Sequence, residues 1–250
     1  MYDRATRRAA LDLVGAGVPL KAISRQLGVS RAAIREWAAD PTGALSAGLS
    51  SRCFVEADRP CGDPDAYGYL LGQYLGDGHL VTSARVPVLR IYACTDYPAI
   101  IDEIDAAIVA VRGTNPARLR NATSDRLCTV QSYWKHWTCL LPQHGPGLKH
   151  RRPIVLAGWQ QEIVDAHPWS LIRGLIQSDG CRAINRVRVR GVRYEYPRYF
   201  FANESADILA IMGGALDRVG VAWRYNRPNS ISIAKRAAVA ALDEHVGPKQ

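Results

Sequence analysis

One nine-residue pattern occurs twice, as Leu70-Leu71-Gly72-Gln73-Tyr74-Leu75-Gly76-Asp77-Gly78 and as Ile172-Arg173-Gly174-Leu175-Ile176-Gln177-Ser178-Asp179-Gly180. Both copies read apolar, any residue, Gly, any residue, apolar, any residue, small residue, Asp, Gly. The two aspartates are 102 positions apart, which leaves room for one small α+β unit between the copies. The repeat predicts two similar halves, each beginning with a helix that ends in a carboxylate.

The small residues of the pattern predict how the two helices pack. Gly72 and Gly76 are four residues apart and share one helix face, as do Gly174 and Ser178 in the second copy. A glycine inside a helix costs about 1 kcal/mol relative to alanine, so propensity does not explain it. We expect these four residues to form an interface at which two helix backbones approach closely.

The aspartates predict a cation site. Asp77 and Asp179 fall at helix C-termini, where the helix dipole disfavours a carboxylate, and two neighbouring carboxylates repel each other. A divalent cation between them removes both objections, and oxygen ligands favour Mg²⁺. An Asp-Gly hairpin turn is the alternative for either copy alone. Two copies, each with a small pair upstream, favour the paired site.

The segments after each motif predict an α+β fold of two αββαββα units. We place the first repeat at residues 65–141, a basic loop-like connecting segment at 142–167 and the second repeat at 168–250, with a strand at Val221 to Tyr225. Lys135 and Lys235 each follow the fourth strand of their half. A lysine there could stabilise charge at a scissile phosphate, or could simply lie on the surface.

The strand Arg186-Val187-Arg188-Val189-Arg190 alternates strictly. Alternation places the arginines on one sheet face and the valines on the other, and Arg193 continues the basic face on the next strand. We expect a buried apolar back and a basic face that contacts phosphates or base edges. A solvated charged face is the alternative.

Residues 1–40 predict three short helices with a tight turn at Gly28 and a helix N-cap at Ser30. The stretch ISRQLGVSRAAIREW resembles the helix-turn-helix heads of resolvases and many bacterial regulators. That resemblance implies a DNA-binding domain whose third helix enters the major groove with Ser30, Arg31 and Arg35 outward. A plain three-helix packing unit is the alternative. Residues 41–64 are rich in Gly, Ser, Pro and Ala and predict a linker.

Composition limits the function classes. The 250 residues carry 32 Lys+Arg against 23 Asp+Glu, a net charge of +9 that suits a polyanionic partner. The polar N-terminus predicts no signal peptide, and no apolar run approaches the roughly 18 residues of a membrane span. Six cysteines without a CxxC pair predict free thiols in a reducing cytoplasm.

The paired motifs resemble the LAGLIDADG homing endonuclease family in its single-chain, two-repeat form, over residues 65 to 246. The resemblance implies two pseudo-symmetric αββαββα units that form a saddle, here preceded by a small all-α helix-turn-helix domain. It implies that Asp77 and Asp179, with Gly76 and Ser178 beside them, hold the metal that activates water. It also implies that Lys135 and Lys235 lie near the metals. Groove contacts would come from Arg186, Arg188, Arg190 and Arg193.

Leu75 and Gln177 replace the motif's first acid, a departure that leaves both metal ligands in place. The favoured hypothesis is a sequence-specific endonuclease that cuts double-stranded DNA with Mg²⁺ or another divalent cation. Its rival is a non-cleaving transcriptional regulator that keeps the fold, because bacterial regulators of this kind also carry a helix-turn-helix. An RNA-binding maturase is a third hypothesis. We expect a monomer on DNA, no membrane association and a cytoplasmic, nucleoid-associated location.

Overall fold

The computed structural model describes residues 4–41, 62–120, 125–247 and 249. These residues fall into two compact units that divide after position 57, and each unit is considered by itself. Most of the predicted linker, residues 42–61 with Cys53 and Cys61, lies outside the described residues.

The first unit consists of three helices: α1 (Arg4–Gly15), α2 (Leu20–Leu27) and α3 (Arg31–Ala39). Gly28 has φ of 67°, a left-handed conformation that suits glycine, and it ends α2. The side chain of Ser30 caps α3 by accepting a hydrogen bond of 3.2 Å from the backbone N–H of Ala33. The apolar sides of the three helices enclose a small core of Ala10, Ile23, Val29, Ile34 and Trp37.

The second unit contains the predicted pair of repeats. The first repeat runs through α4 (Pro64–Gly76), β1 (Gly78–Val81), β2 (Val88–Cys94), α5 (Pro98–Arg112), β3 (Ala117–Arg120), β4 (Leu127–Tyr133) and α6 (Trp137–Leu140). A 3₁₀ turn (Lys149–Arg151) and α7 (Gly158–Ala166) follow, so the connecting segment is not only a loop. The second repeat runs through α8 (Pro168–Asp179), β5 (Gly180–Val189), β6 (Val192–Ala202), α9 (Ala206–Arg218), β7 (Arg224–Arg227), β8 (Ser230–Ile233) and α10 (Arg236–His245).

The strands form two antiparallel four-stranded sheets with the same topology, β1-β2-β4-β3 and β5-β6-β8-β7. This arrangement confirms the predicted α+β class and its two αββαββα units. The predicted start of one strand is wrong, since β7 begins at Arg224 and not at Val221. The backbone N–H of Val221 still donates to the carbonyl of Leu216 at the end of α9 and so is not available to a strand. Among the described helices, none is long and apolar enough to cross a membrane.

Helices α4 and α8 cross at Gly72 and Gly174. A Cβ atom on Gly72 would lie 2.6 Å from the carbonyl oxygen of Leu171 and 2.9 Å from the Cα of Gly174. Any side chain at this point would therefore push the two backbones apart. Beside the crossing, the buried hydroxyl of Tyr69 donates to the side-chain oxygen of Gln177 over 2.6 Å. The helix pair thus forms the centre of the unit.

Each sheet has one face covered by helices and one open face. In β2, Leu89 and Ile91 are fully buried under helices, whereas the alternate residue Arg90 is partly exposed. In β6, Tyr199 and Phe201 are fully buried, and the residues between and beside them belong to the open face. The open faces are the two surfaces of the unit that helices leave uncovered.

The predicted apolar back of the arginine strand is wrong. Val187 is 36% exposed and Val189 is 52% exposed, because β8 pairs with β6 only from Tyr199 to Ala202. Residues 184–197 therefore extend beyond the sheet as a two-stranded arm, and none of the described helices covers either of its faces. In the arm register Arg186 lies opposite Glu195, so the arginines continue the helix-covered face and the valines continue the open face.

Candidate active site at the ends of two paired helices

Both motif aspartates lie at the point where the paired helices end. Asp77 is the C-cap of α4 and donates its backbone N–H to the carbonyl of Gln73, while Asp179 is the last residue of α8. A Cβ atom on Gly76 would lie 3.2 Å from a carboxylate oxygen of Asp179 and within 2.5 Å of the Cβ of Ser178. The structure therefore brings Asp77, Asp179, Gly76 and Ser178 together.

Close packing, and not a positive φ, explains the glycines that follow the two aspartates. Neither Gly78 nor Gly180 has a positive φ, and Gly180 is extended with φ of −97° and ψ of 170°. A Cβ atom on Gly180 would instead lie 2.8 Å from the Cα of Ile176. Glycine is needed at this position because the first strand leaves directly against the helix that precedes it.

Burial and mutual repulsion shape the electrostatics of the pair. Burial, followed by the charge of Asp179, raises the pKa of Asp77 to about 6, while Lys249 and Lys149 act in the opposite direction. Burial also raises the pKa of Asp179, and a hydrogen bond of 2.7 Å from the Asn203 amide opposes that rise. Two half-buried carboxylates that resist ionisation side by side form a site that favours a cation.

A lysine caps each helix end. The ammonium group of Lys149 donates to the carbonyl oxygens of Leu75 at 3.0 Å and Gly76 at 2.9 Å, and also to that of Tyr74. Burial lowers the pKa of Lys149 to about 8. The ammonium group of Lys249 donates to the carbonyl of Ser178 at 2.9 Å. Cations are favourable at these positions because the last carbonyls of a helix lack partners within the helix.

Neither of the lysines expected near the metals, Lys135 and Lys235, is among the cations that shift the pKa values of Asp77 and Asp179. Both are exposed. Burial and then the charge of Lys135 lower the pKa of neighbouring His136, and Lys235 is the N-cap of α10. The cations that act most strongly on Asp77 are Lys249 and Lys149. The sequence held one signal for them, since Lys149 follows Asp77 by 72 positions and Lys249 follows Asp179 by 70.

Two cavities open beside the aspartates, and each draws residues from both repeats. The Asp179 cavity has a volume of 450 Å³. Its lining comprises Leu75, Gly76, Gly78, His79, Gly147, Leu148, Lys149, His150, Asp179, Ala202, Asn203 and Glu204. The Asp77 cavity has a volume of 80 Å³. Its lining comprises Gln73, Asp77, Tyr92, Ala93, Cys94, Tyr97, Ile100, Gln177, Ser178 and Lys249.

The donor atoms at the helix ends fit a hard divalent cation. Two carboxylates and the backbone carbonyls of Gly76 and Ser178 offer oxygen alone, the ligand type that Mg²⁺ prefers. In the part of the chain that the structure describes, no group of three or more His, Cys, Asp or Glu is placed to hold a metal ion. A cation with few protein ligands that keeps several waters is the kind that matches this set.

The expected DNA contacts fall on separate surfaces. Ser30, Arg31 and Arg35 are exposed on the first unit. On the arm, Arg188 and Arg190 are exposed, and Glu195 accepts hydrogen bonds from Arg186 at 3.0 Å and Arg193 at 2.8 Å. Sequence reasoning missed Arg90 and Arg224, which the strand register places on the open faces together with Arg198.

No family model matches this chain, and no curated protein matches it. Solved structures of LAGLIDADG proteins are similar to it in fold. The homing endonuclease I-WcaI bound to its DNA recognition sequence has 11% identity and a TM-score of 0.48, over 78% of this chain and 86% of that one. The meganuclease I-AabMI bound to uncleaved DNA has 10% identity and a TM-score of 0.45, over 72% and 82%. The N-terminal LAGLIDADG domain of WhiA has 12% identity and a TM-score of 0.46, over 79% and 91%.

Proposed function

We propose that this chain binds double-stranded DNA sequence-specifically and hydrolyses its phosphodiester bonds with a divalent cation held by Asp77 and Asp179. The observation that carries the proposal is the convergence of two half-buried carboxylates and two capping lysines at the ends of one helix pair. Carboxylates with perturbed pKa values beside an open cavity are typical of active sites. The sequence resemblance stated above points to the same chemistry.

The residues of the site have different proposed roles. Asp77 and Asp179 would hold the cation, with the carbonyls of Gly76 and Ser178 beside them. Such a cation supplies charge stabilisation at the phosphate and lowers the pKa of a water. The ammonium groups of Lys149 and Lys249 add positive charge where a phosphate would enter. The direct contact of α4 with α8 fixes the spacing of the two carboxylates, as an active site requires.

DNA binding is supported by charge and by two surfaces. The chain carries a net charge of +9, and Arg90, Arg198 and Arg224 lie on the open faces of the sheets. The first unit, with exposed Arg31 and Arg35 on α3, would act as a second DNA-binding module of the helix-turn-helix type. One chain supplies both aspartates, so a monomer suffices on DNA.

A non-cleaving transcriptional regulator is the second candidate, and one observation favours it. The ammonium group of Lys149 already occupies the carbonyl of Gly76, an oxygen that the cation would need. If this contact persists on DNA, the lysine replaces the metal and the fold binds without cutting. The three-helix first unit suits a regulator equally well.

Cleavage of a selected target separates the two candidates. A randomised duplex pool is first enriched for binding in Ca²⁺, and the enriched duplex is then incubated with protein in Mg²⁺ or Mn²⁺. We expect cleavage by the wild-type chain and none by Asp77→Asn with Asp179→Asn, although the double variant should still bind. Tight binding by the wild type without any cleavage in either metal would overturn the nuclease and support the regulator.

A further inference from the structure

The two cavities occupy equivalent positions in the two repeats but differ in their side chains. Gly78 pairs with Ile91 between β1 and β2, and Gly180 pairs with Phe201 between β5 and β6. Because the two glycines occupy equivalent places in the motif, Ile91 and Phe201 are equivalent as well. The residues that follow them can therefore be compared one by one.

The first difference concerns hydrogen bonding to the aspartates. Two and three positions beyond the equivalent pair stand Asn203 and Glu204 in the Asp179 cavity, but Ala93 and Cys94 in the Asp77 cavity. The amide of Asn203 donates to a carboxylate oxygen of Asp179 over 2.7 Å. Ala93 has no side-chain donor, so the same hydrogen bond cannot form to Asp77. Among the described residues, Asn203 at the end of β6 therefore orients Asp179, and the equivalent Ala93 gives Asp77 no such hydrogen bond.

The second difference is the size of the cavity beside each aspartate. Tyr92 lines the Asp77 cavity at the position where Ala202 lines the Asp179 cavity. Tyr92 therefore fills space beside Asp77 that Ala202 leaves free beside Asp179, and the cavity volumes are 80 Å³ and 450 Å³.

The third difference is the number of hydrogen bonds that hold the lysine of each cavity in place. Lys149 in the Asp179 cavity donates to three successive backbone carbonyls and lies 5.1 Å above the ring of Tyr74. Lys249 in the Asp77 cavity donates to the single carbonyl of Ser178. The bonds to Tyr74 and Leu75 hold Lys149 even where a cation takes the carbonyl of Gly76, and a charge that is fixed before the reaction stabilises developing charge best. All three differences favour the same cavity.

From these differences we infer that the Asp179 cavity cuts its DNA strand faster than the Asp77 cavity cuts the other, so that the protein acts first as a strand-specific nicking enzyme. The inference rests on the proposed hydrolysis of DNA. In each cut, the oxygen of a water forms a bond to phosphorus, one ester P–O bond breaks, and the departing oxygen takes up a proton. A single nick at a fixed strand is the first product.

The test uses a supercoiled plasmid that carries the selected duplex, with a different fluorophore on each strand of a matching linear substrate. We expect nicked circles to accumulate before linear product, and the two strand rate constants to differ by about 10- to 100-fold, the usual effect of a residue that orients a metal ligand. Equal strand rates would overturn strand bias and leave the nuclease intact. Binding without cutting of either strand would overturn both.

Variants assign the fast strand to its cavity. Asn203→Ala should slow the fast strand alone, while the exchange of Ala93→Asn with Cys94→Glu should speed the slow strand alone. Slowing of the other strand by Asn203→Ala would reverse the assignment and overturn the inference. Binding of Mn²⁺ followed by electron paramagnetic resonance gives a readout without catalysis: Asn203→Ala should weaken the tighter of two binding events, and two equal affinities that it leaves unchanged would count against the inference.

Discussion

The ammonium group of Lys149 lies 2.9 Å from the carbonyl oxygen of Gly76, although 73 residues separate them in the chain. This hydrogen bond fastens the connecting segment to the end of the first motif helix, directly beside the aspartate pair. It places a positive charge at a helix C-terminus and, in the proposed enzyme, next to the phosphate.

Replacing this lysine tests its role. Lys149→Met keeps most of the side chain but removes the charge, so cleavage should fall by about 100-fold, as for loss of one fixed donor at a reacting oxyanion. Lys135→Met is the matched control, since Lys135 is exposed and was the residue expected from sequence. Single-turnover rates on the selected duplex give the comparison. A larger loss for Lys135→Met would restore the sequence-based assignment.

Gly72→Ala should strongly destabilise the protein. The new Cβ would lie 2.6 Å from a backbone carbonyl oxygen, and neither backbone can move without separating the helices. Overpacking of this kind costs about 1–3 kcal/mol or more in the free energy of unfolding. Gly214→Ala is the control, because this helical glycine has open space around its Cβ position and should gain about 0.5–1 kcal/mol. Urea unfolding of both variants measures the contrast, and equal effects would contradict close backbone contact.

Asp77 should make the metal-free protein less stable as pH rises. Its pKa is about 6 when folded and the ordinary aspartate value of 3.8 when unfolded, so between these pH values the folded state binds more protons. Stability is therefore highest below pH 3.8 for this group and is lost as pH rises through 6, by about 3 kcal/mol in all. In EDTA, Asp77→Asn should unfold at a higher temperature than wild type at pH 8 but not at pH 4.

Magnesium provides the complementary measurement. Because a cation binds the ionised carboxylates of the folded state, Mg²⁺ at pH 8 should raise the unfolding temperature of wild type. Asp77→Asn should show a much smaller rise. An equal response of both proteins to Mg²⁺ would mean that the cation binds somewhere other than the helix ends.

The open faces can be compared with the arm through salt dependence. Arg198→Gln should weaken DNA binding and reduce the slope of log affinity against log salt by about 0.9, the effect of one lost phosphate contact. Arg182→Gln is the control on the paired strand, since Arg182 binds Asp243 at 2.7 Å on the helix-covered side. Arg188→Gln reports on the arm. A slope that changes for Arg188→Gln and not for Arg198→Gln would place DNA on the arginine side of the arm.

The repeated motif predicted the fold because the features that matter, the residue types and their spacing, can be read from a short stretch of sequence. Two small residues four positions apart on one helix face predict a close helix pair. The spacing between Asp77 and Asp179 predicts the two αββαββα units. The capping lysines were missed for the opposite reason. Lys149 reaches Gly76 through an irregular turn, whose path cannot be predicted from hydrophobic periodicity. The contact of Asn203 with Asp179 can be predicted only once the register of β5 and β6 is known.

The arm shows a different limit of sequence reasoning. Alternation correctly separates arginines from valines, but it does not say how far a strand continues past its sheet. Pairing with β8 begins only at Tyr199, so the valines before it have no core to cover. Burial depends on the neighbour strands, which the alternating stretch itself does not encode.

Each cavity is walled by both halves of the chain, and this has a consequence for damaged or incomplete molecules. A fragment that ends before α8 would contain Asp77, His79 and Lys149 but no Asp179, while the other fragment would lack every first-repeat wall. Neither fragment holds even one complete centre. Under the proposed function, a product that stops before α8 should therefore not cut DNA, because each cavity needs residues from both repeats.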